Sequence, residues 1–61
     1  MLGIIRCGMF NIEILGFYYS KRTGKSITYK FSNDDRLRTT RMINTNFSIP
    51  TVGTFNIKDV H

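Results

Sequence analysis

The sequence of 61 residues lacks alanine, glutamine and tryptophan, and it has one cysteine, one proline and one histidine. A single cysteine, Cys7, excludes a disulfide within the chain. A structural zinc site needs about four cysteine or histidine ligands, whereas this chain offers only Cys7 and His61. We therefore expect neither a metal nor a cofactor, and the fold has to be stabilised by burial of apolar side chains.

Long apolar runs are missing as well. No segment reaches the roughly 18 apolar residues of a membrane helix. The first 16 residues lack the basic, apolar and small-residue order of a signal peptide. We therefore expect a cytoplasmic location and no membrane partner, and an unpaired cysteine agrees with that expectation.

Chain length sets the domain organisation. Residues 1–61 suffice for one small domain, and a chain of this size buries only about 60% of the surface that its unfolded form exposes. Residues 1–8 precede the first clear alternating segment, and a flexible N-terminal arm is one interpretation of them. Marginal stability makes a partner surface, including a second copy of the chain, a natural addition to the core.

The abundant residues favour strands over helices. Isoleucine, valine and threonine total 17 residues, and the aromatic residues add eight; all of these fit a pleated, half-buried surface. Residues 9–20 and 26–32 alternate between apolar and polar positions, with a polar loop around Gly24 between them. The sequence therefore predicts a β-hairpin over residues 9–32.

The loop of this hairpin predicts its register. A two-residue Thr23-Gly24 loop places Tyr18 opposite Tyr29 on one face, and Phe17 opposite Lys30 on the other. Threonine fits the positive φ of the tightest turns poorly. A longer loop, with the glycine in a left-handed conformation, is therefore the alternative.

Residues 33–43 allow two interpretations. Apolar and polar residues alternate over residues 37–49, which favours a strand. Ser32 followed by acidic residues favours the start of a helix. We predict a mainly β protein, a small antiparallel sheet or meander of three to four strands, with Pro50 in the turn before the last strand or on an edge. An α+β protein of ββαβ order, with a short helix near residues 33–43, is the alternative.

The positive charge is confined to one third of the chain. Residues 20–41 contain seven Lys or Arg residues against Asp34 and Asp35, which equals the whole net charge of +5. Cations grouped in this way suit a polyanion, because neutralising phosphates releases counterions. Aromatic rings among cations suit single-stranded nucleic acid, whose bases stack on the rings. A merely solvated basic face is the competing interpretation.

These patterns predict a non-enzymatic module that binds nucleic acid, either single strands or an RNA backbone, or another polyanion. Phosphate contacts are predicted for Lys21, Arg22, Lys25, Lys30, Arg36, Arg38 and Arg41, and stacking contacts for Phe17 and Tyr19. The competing interpretation of the two rings places them in the core, covered by residues 36–49 or by another subunit.

A second functional hypothesis is a small interaction protein of the kind that phages encode, which docks on a larger protein assembly and inhibits or completes it. Its interface anchors would be Leu15, Phe17 and Tyr19, and its partner an acidic protein surface or a second copy of the chain. We predict no catalytic residue, because Cys7, Glu13 and His61 have no catalytic partner that the sequence places beside them.

Overall fold

The structure, a computed structural model, describes residues 2–61 as six antiparallel strands in a curled half-barrel sheet. Each strand pairs with the next one along the chain, and the described residues contain no α-helix. The mainly β prediction is confirmed, whereas three to four strands was too few. The elements are β1 (Gly3–Arg6), β2 (Asn11–Ser20), β3 (Gly24–Phe31), β4 (Arg38–Ile43), β5 (Asn46–Ile49), β6 (Gly53–Asn56) and a 3₁₀ turn at Ile57–Asp59.

The ambiguous segment after residue 33 forms two strands. A two-residue turn begins at Asn44, which has a φ of 57°, and it pairs Met42 with Phe47. Both of these side chains are buried, whereas Leu37 and Ile43 are exposed. The helix near residues 33–43 was wrong, because β4 pairs along β3 instead. The strand interpretation of residues 37–49 is confirmed, but the alternation does not continue through the turn at Asn44. Inward-facing residues have even numbers in β4, such as Met42, and odd numbers in β5, such as Phe47.

The predicted hairpin is present as β2 and β3, but the predicted register was wrong. Ser20 lies opposite Gly24, so the loop has three residues, and Gly24 adopts the left-handed conformation with a φ of 82°. This loop, together with one extra residue in β2 between Ile14 and Gly16, places Tyr29 opposite Ile14 rather than opposite Tyr18. The longer-loop alternative is thus the correct one.

The core lies on the inner face of the curled sheet and is built mainly from β-branched residues. Edge-to-face contacts of Phe31 with Phe10 and with Tyr29, at ring-centroid distances of 5.4 and 5.8 Å, extend it toward one end. Pro50 lies in the loop between β5 and β6, as predicted. The buried residues are Ile5, Ile12, Ile14, Ile27, Tyr29, Met42, Phe47 and Ile49.

The two ends of the chain meet at β1. The backbone N–H of Ile4 donates to the carbonyl oxygen of His61, and the N–H of His61 donates to that of Ile4, both at 2.9 Å. Gly3 permits this approach, because a Cβ there would overlap the Val60 side chain and lie 3.0 Å from the His61 oxygen. Residues 3–6, for which a flexible arm was one interpretation, therefore form a strand with neighbours on both edges. Among residues 2–61 no helix is long and apolar enough to cross a membrane.

Candidate nucleic-acid interface

The far half of the β2–β3 hairpin has fewer neighbours than the rest of the sheet. Strand β1 pairs with β2 only as far as Ile14, and β4 pairs with β3 only as far as Ser26. We call residues 16–26 the distal ribbon and the remaining described residues the sheet body. Within the described chain, no strand pairs with the outer edge of β2 from Gly16 to Ser20. The backbone edge and both faces of the ribbon are therefore accessible.

A β-bulge separates the ribbon from the sheet body. Ile14 lies opposite Tyr29, and Gly16 lies opposite Thr28, so Leu15 is an extra residue with no partner of its own. Side chains alternate along a strand, so one extra residue exchanges the two faces beyond the bulge. The predicted faces of β2 are consequently wrong past this point.

The inner face of the ribbon carries two of the predicted rings. Phe17 lies opposite Ile27, and Tyr19 lies opposite Lys25; their exposed fractions are 48% and 68%. Residues 36–49 therefore do not cover these rings as a core would require. Directly opposed side chains have Cβ atoms about 4.5–5.5 Å apart, which places the Lys25 stem beside the Tyr19 ring.

The outer face of the ribbon carries a ring that the sequence prediction missed. Tyr18, at 63% exposure, lies opposite Ser26, and Ser26 lies opposite Arg41 on β4. Neighbouring strands are about 4.8 Å apart, so the Tyr18 and Arg41 backbones are separated by roughly 10 Å. An isolated glycine within an alternating strand can mark a bulge. Gly16 was therefore the signal in the sequence that could have placed Tyr18 on this face.

The cations of the ribbon, and Arg41 beside it on β4, have no acidic partners among the described residues. No carboxylate of the described chain lies within 4 Å of Lys21, Arg22, Lys25 or Arg41. In the sheet body, by contrast, the Lys30 ammonium lies 3.5 Å from the Glu13 carboxylate. Lys30 thus lies opposite Glu13 rather than opposite Phe17, as the predicted register had it.

Two further cations of the predicted set lie near Asp34: Arg36 in the loop before β4, and Arg38 as the first residue of β4. The Arg38 guanidinium lies 3.2 Å from the Asp34 carboxylate and 5.0 Å from the centroid of the Phe31 ring. The backbone N–H of Arg36 donates to Asp34 at 3.0 Å. This hydrogen bond, and then the one from Arg38, holds the pKa of the Asp34 carboxyl below its ordinary value. Asp34 therefore compensates the charge of Arg38, whereas no carboxylate of the described chain lies within 4 Å of the Arg36 side chain.

Distance keeps this loop electrostatically separate from the ribbon tip, residues 20–25, which include Lys21, Arg22 and Lys25. Gly24 and Phe31 are the two ends of β3, and seven residue steps of about 3.3 Å place them roughly 23 Å apart. Screening at physiological salt reduces interactions between exposed charges beyond about 8 Å. The structure thus places Lys21, Arg22 and Lys25 in the ribbon and Arg41 beside it on β4, whereas Lys30, Arg36 and Arg38 lie farther from the ribbon tip in the sheet body.

The sheet body has a groove beside β1, but its described residues form no cluster of metal ligands. The groove has a volume of about 720 Å³ and lies beside β1, lined by Ile5, Arg6, Phe55, Asp59 and His61. Across residues 2–61, no group of three or more His, Cys, Asp or Glu side chains is placed to hold a metal ion.

No family model, curated protein or solved structure matches the chain. The chemistry of the distal ribbon is therefore the basis for a functional proposal.

Proposed function

We propose that this protein is a small non-enzymatic module that binds nucleic acid through the distal ribbon. The observation that supports the proposal best is the composition of the ribbon tip. Lys21, Arg22 and Lys25 lie there beside exposed rings, and the described chain places no carboxylate within 4 Å of them.

Phosphates would supply the negative charge that the ribbon tip lacks. Each phosphate that a lysine or arginine neutralises releases condensed counterions, which favours binding and makes the affinity fall as salt rises. Ammonium and guanidinium groups that contact phosphates carry no base-sequence information. Recognition by the tip is thus expected to be largely independent of sequence.

The exposed rings would add a contact of a second kind. Every base has a flat face that can stack on an aromatic side chain, at about 1–3 kcal/mol per base. The inner face of the ribbon offers Phe17 and Tyr19 for this, with Lys25 opposite Tyr19. Rings and cations on one strand pair are the combination that single-stranded nucleic acid requires.

Titration of fluorescently labelled DNA and RNA single strands with the full chain tests this proposal. We expect binding of both at about 50 mM salt and a clear loss of affinity by about 200 mM. No binding at the lower concentration, or an affinity that salt does not change, would contradict a phosphate-directed function.

The uncovered edge of β2 supports a second candidate function. An extended segment of another protein, or of a second copy, can add to such an edge by backbone hydrogen bonds. Phe17, Tyr19 and the half-buried Leu15 would be its side-chain contacts. Replacing Phe17 and Tyr19 by serine discriminates the candidates: loss of a protein complex with nucleic-acid binding intact favours this second one.

A further inference from the structure

Two neighbouring rings of the ribbon lie on opposite faces of one strand. Tyr18 is on the outer face and Tyr19 on the inner face, and both are more than half exposed. The strand that carries them has β3 on one side, while its other edge is uncovered from Gly16 to Ser20 within the described chain. A ligand can therefore pass from one ring to the other around this edge.

Each of the two rings has a cation on its own face. Lys25 is directly opposite Tyr19 on the inner face. On the outer face, Tyr18 on β2, Ser26 on β3 and Arg41 on β4 lie in one row across the sheet. Each face thus has the two groups that a nucleotide needs, a ring for its base and a positive charge for its phosphate.

We infer that the ligand is a single strand of nucleic acid that wraps around the uncovered edge of β2, with one base stacked on Tyr18 and another on Tyr19. This inference rests on the proposed function and adds to it the class of ligand and the path that it takes. Arg41 and Lys25 contact phosphates on the outer and the inner face, and Lys21 and Arg22 contact the phosphates between them.

A duplex cannot make this set of contacts. The faces of its bases are covered by neighbouring bases, and a protein reaches only base edges in the grooves and phosphates on the backbone. A duplex is also stiff over about 150 base pairs, so it does not fold around one strand of a protein sheet. The Tyr18 and Tyr19 rings can be used together only by a chain whose bases are unpaired.

Ring replacements on both faces test the inference. We expect Tyr18→Leu and Tyr19→Leu each to weaken the binding of a labelled 12-nucleotide single strand about tenfold, since stacking on one ring is lost. Tyr18→Phe and Tyr19→Phe keep the ring and are expected to bind within about twofold of the parent chain. Affinity for a duplex of the same sequence is expected to be weaker than for the single strand and unchanged in all four variants. Circular dichroism melts establish that the variants are folded.

Different results would contradict the wrapped single strand and the proposed nucleic-acid binding. Salt-dependent binding that is equal for single strand and duplex, or indifferent to Tyr18→Leu, would overturn the wrapped strand and leave phosphate binding in place. Absence of any salt-dependent binding would contradict both the wrapped strand and nucleic-acid binding by the ribbon. A captured protein whose binding is lost in the leucine variants, while nucleic-acid affinity is unchanged, would assign the rings to a protein partner and overturn the inference.

Discussion

The sheet body and the distal ribbon use the same residue types in opposite ways. Tyr29 in the body is 2% exposed, whereas Tyr19 in the ribbon is 68% exposed. Lys30 in the body has Glu13 as its partner, whereas Lys25, on the same strand β3, has no carboxylate within 4 Å among the described residues. The neighbouring strands differ between the two regions, because β1 pairs with β2 only as far as Ile14 and β4 pairs with β3 only as far as Ser26. Residue type alone therefore predicts neither burial nor charge pairing here.

The largest expected difference between the two regions is the loss of stability when a phenylalanine is replaced by alanine. Phe47, 1% exposed, lies in the core, and Phe17, about half exposed, lies in the ribbon. Phe47→Ala is expected to destabilise the fold by about 3–5 kcal/mol, since it removes a buried ring and leaves a cavity. That loss is a large fraction of the total stability of a domain this small.

Phe17→Ala is the matched control and is expected to cost much less than Phe47→Ala. Urea denaturation followed by circular dichroism measures both changes. Equal losses of stability would show that the ribbon packs as a core does, and they would remove the distinction between the two regions.

Replacing glycine by alanine is expected to give the next largest difference in stability. A Cβ added at Gly3 overlaps the Val60 side chain, whereas a Cβ at Gly16 meets nothing within 4 Å. Gly3→Ala is expected to destabilise the fold by about 1–3 kcal/mol through overpacking where the two ends of the chain meet. Gly16→Ala is expected to be neutral or mildly stabilising, since alanine restricts the unfolded chain. Thermal melts of the two variants compare them, and a Gly3→Ala melt equal to that of the parent would contradict the close contact with Val60.

Lowering the pH is expected to have the smallest effect on stability. This effect arises in the loop before β4. Hydrogen bonds from the Arg36 N–H and the Arg38 guanidinium lower the pKa of the Asp34 carboxyl in the folded chain. A lowered pKa stabilises the fold above the unfolded value of about 3.8, and this contribution is lost as the pH falls through the folded pKa. Because Asp34 is half exposed, the effect is expected to be modest.

Asp34→Asn removes this acid dependence without changing the size of the side chain. Melting temperatures between about pH 2 and pH 6 are expected to fall less steeply in the variant than in the parent chain. Identical slopes would show that the Asp34 carboxylate does not contribute to the folded loop.

The sequence predicted the class of fold but not its details. Alternation and residue types identified the hairpin, and the poor fit of threonine to a tight turn pointed to Gly24 in a left-handed conformation. The register depends on Leu15 as an extra residue, and the strand count depends on a turn at Asn44. Local alternation cannot reveal either feature, because both are decided by which strand lies opposite.

The candidate site was predicted in part for the same reason. The sequence alone does not distinguish the seven cations of residues 20–41 from one another. In the structure, however, Lys30 and Arg38 lie beside carboxylates that are about 20 Å or more from the ribbon tip. The sequence prediction did not include Tyr18, because the bulge at Leu15 reverses the two faces of β2 beyond it.

Two matched double variants test most directly whether the ribbon binds phosphates. Lys21→Gln with Arg22→Gln removes two positive charges from the ribbon tip, and Arg6→Gln with Lys58→Gln removes two from the sheet body. The measurement is the affinity for a labelled single strand between about 50 and 200 mM salt, expressed as the slope of log K against log salt. We expect the tip pair to weaken binding and reduce that slope by about 1.4, which corresponds to two lost phosphate contacts on a single strand, while the body pair keeps the slope of the parent chain. Equal effects of the two pairs would contradict the ribbon site, because the net charge of the protein, rather than its position, would then determine binding.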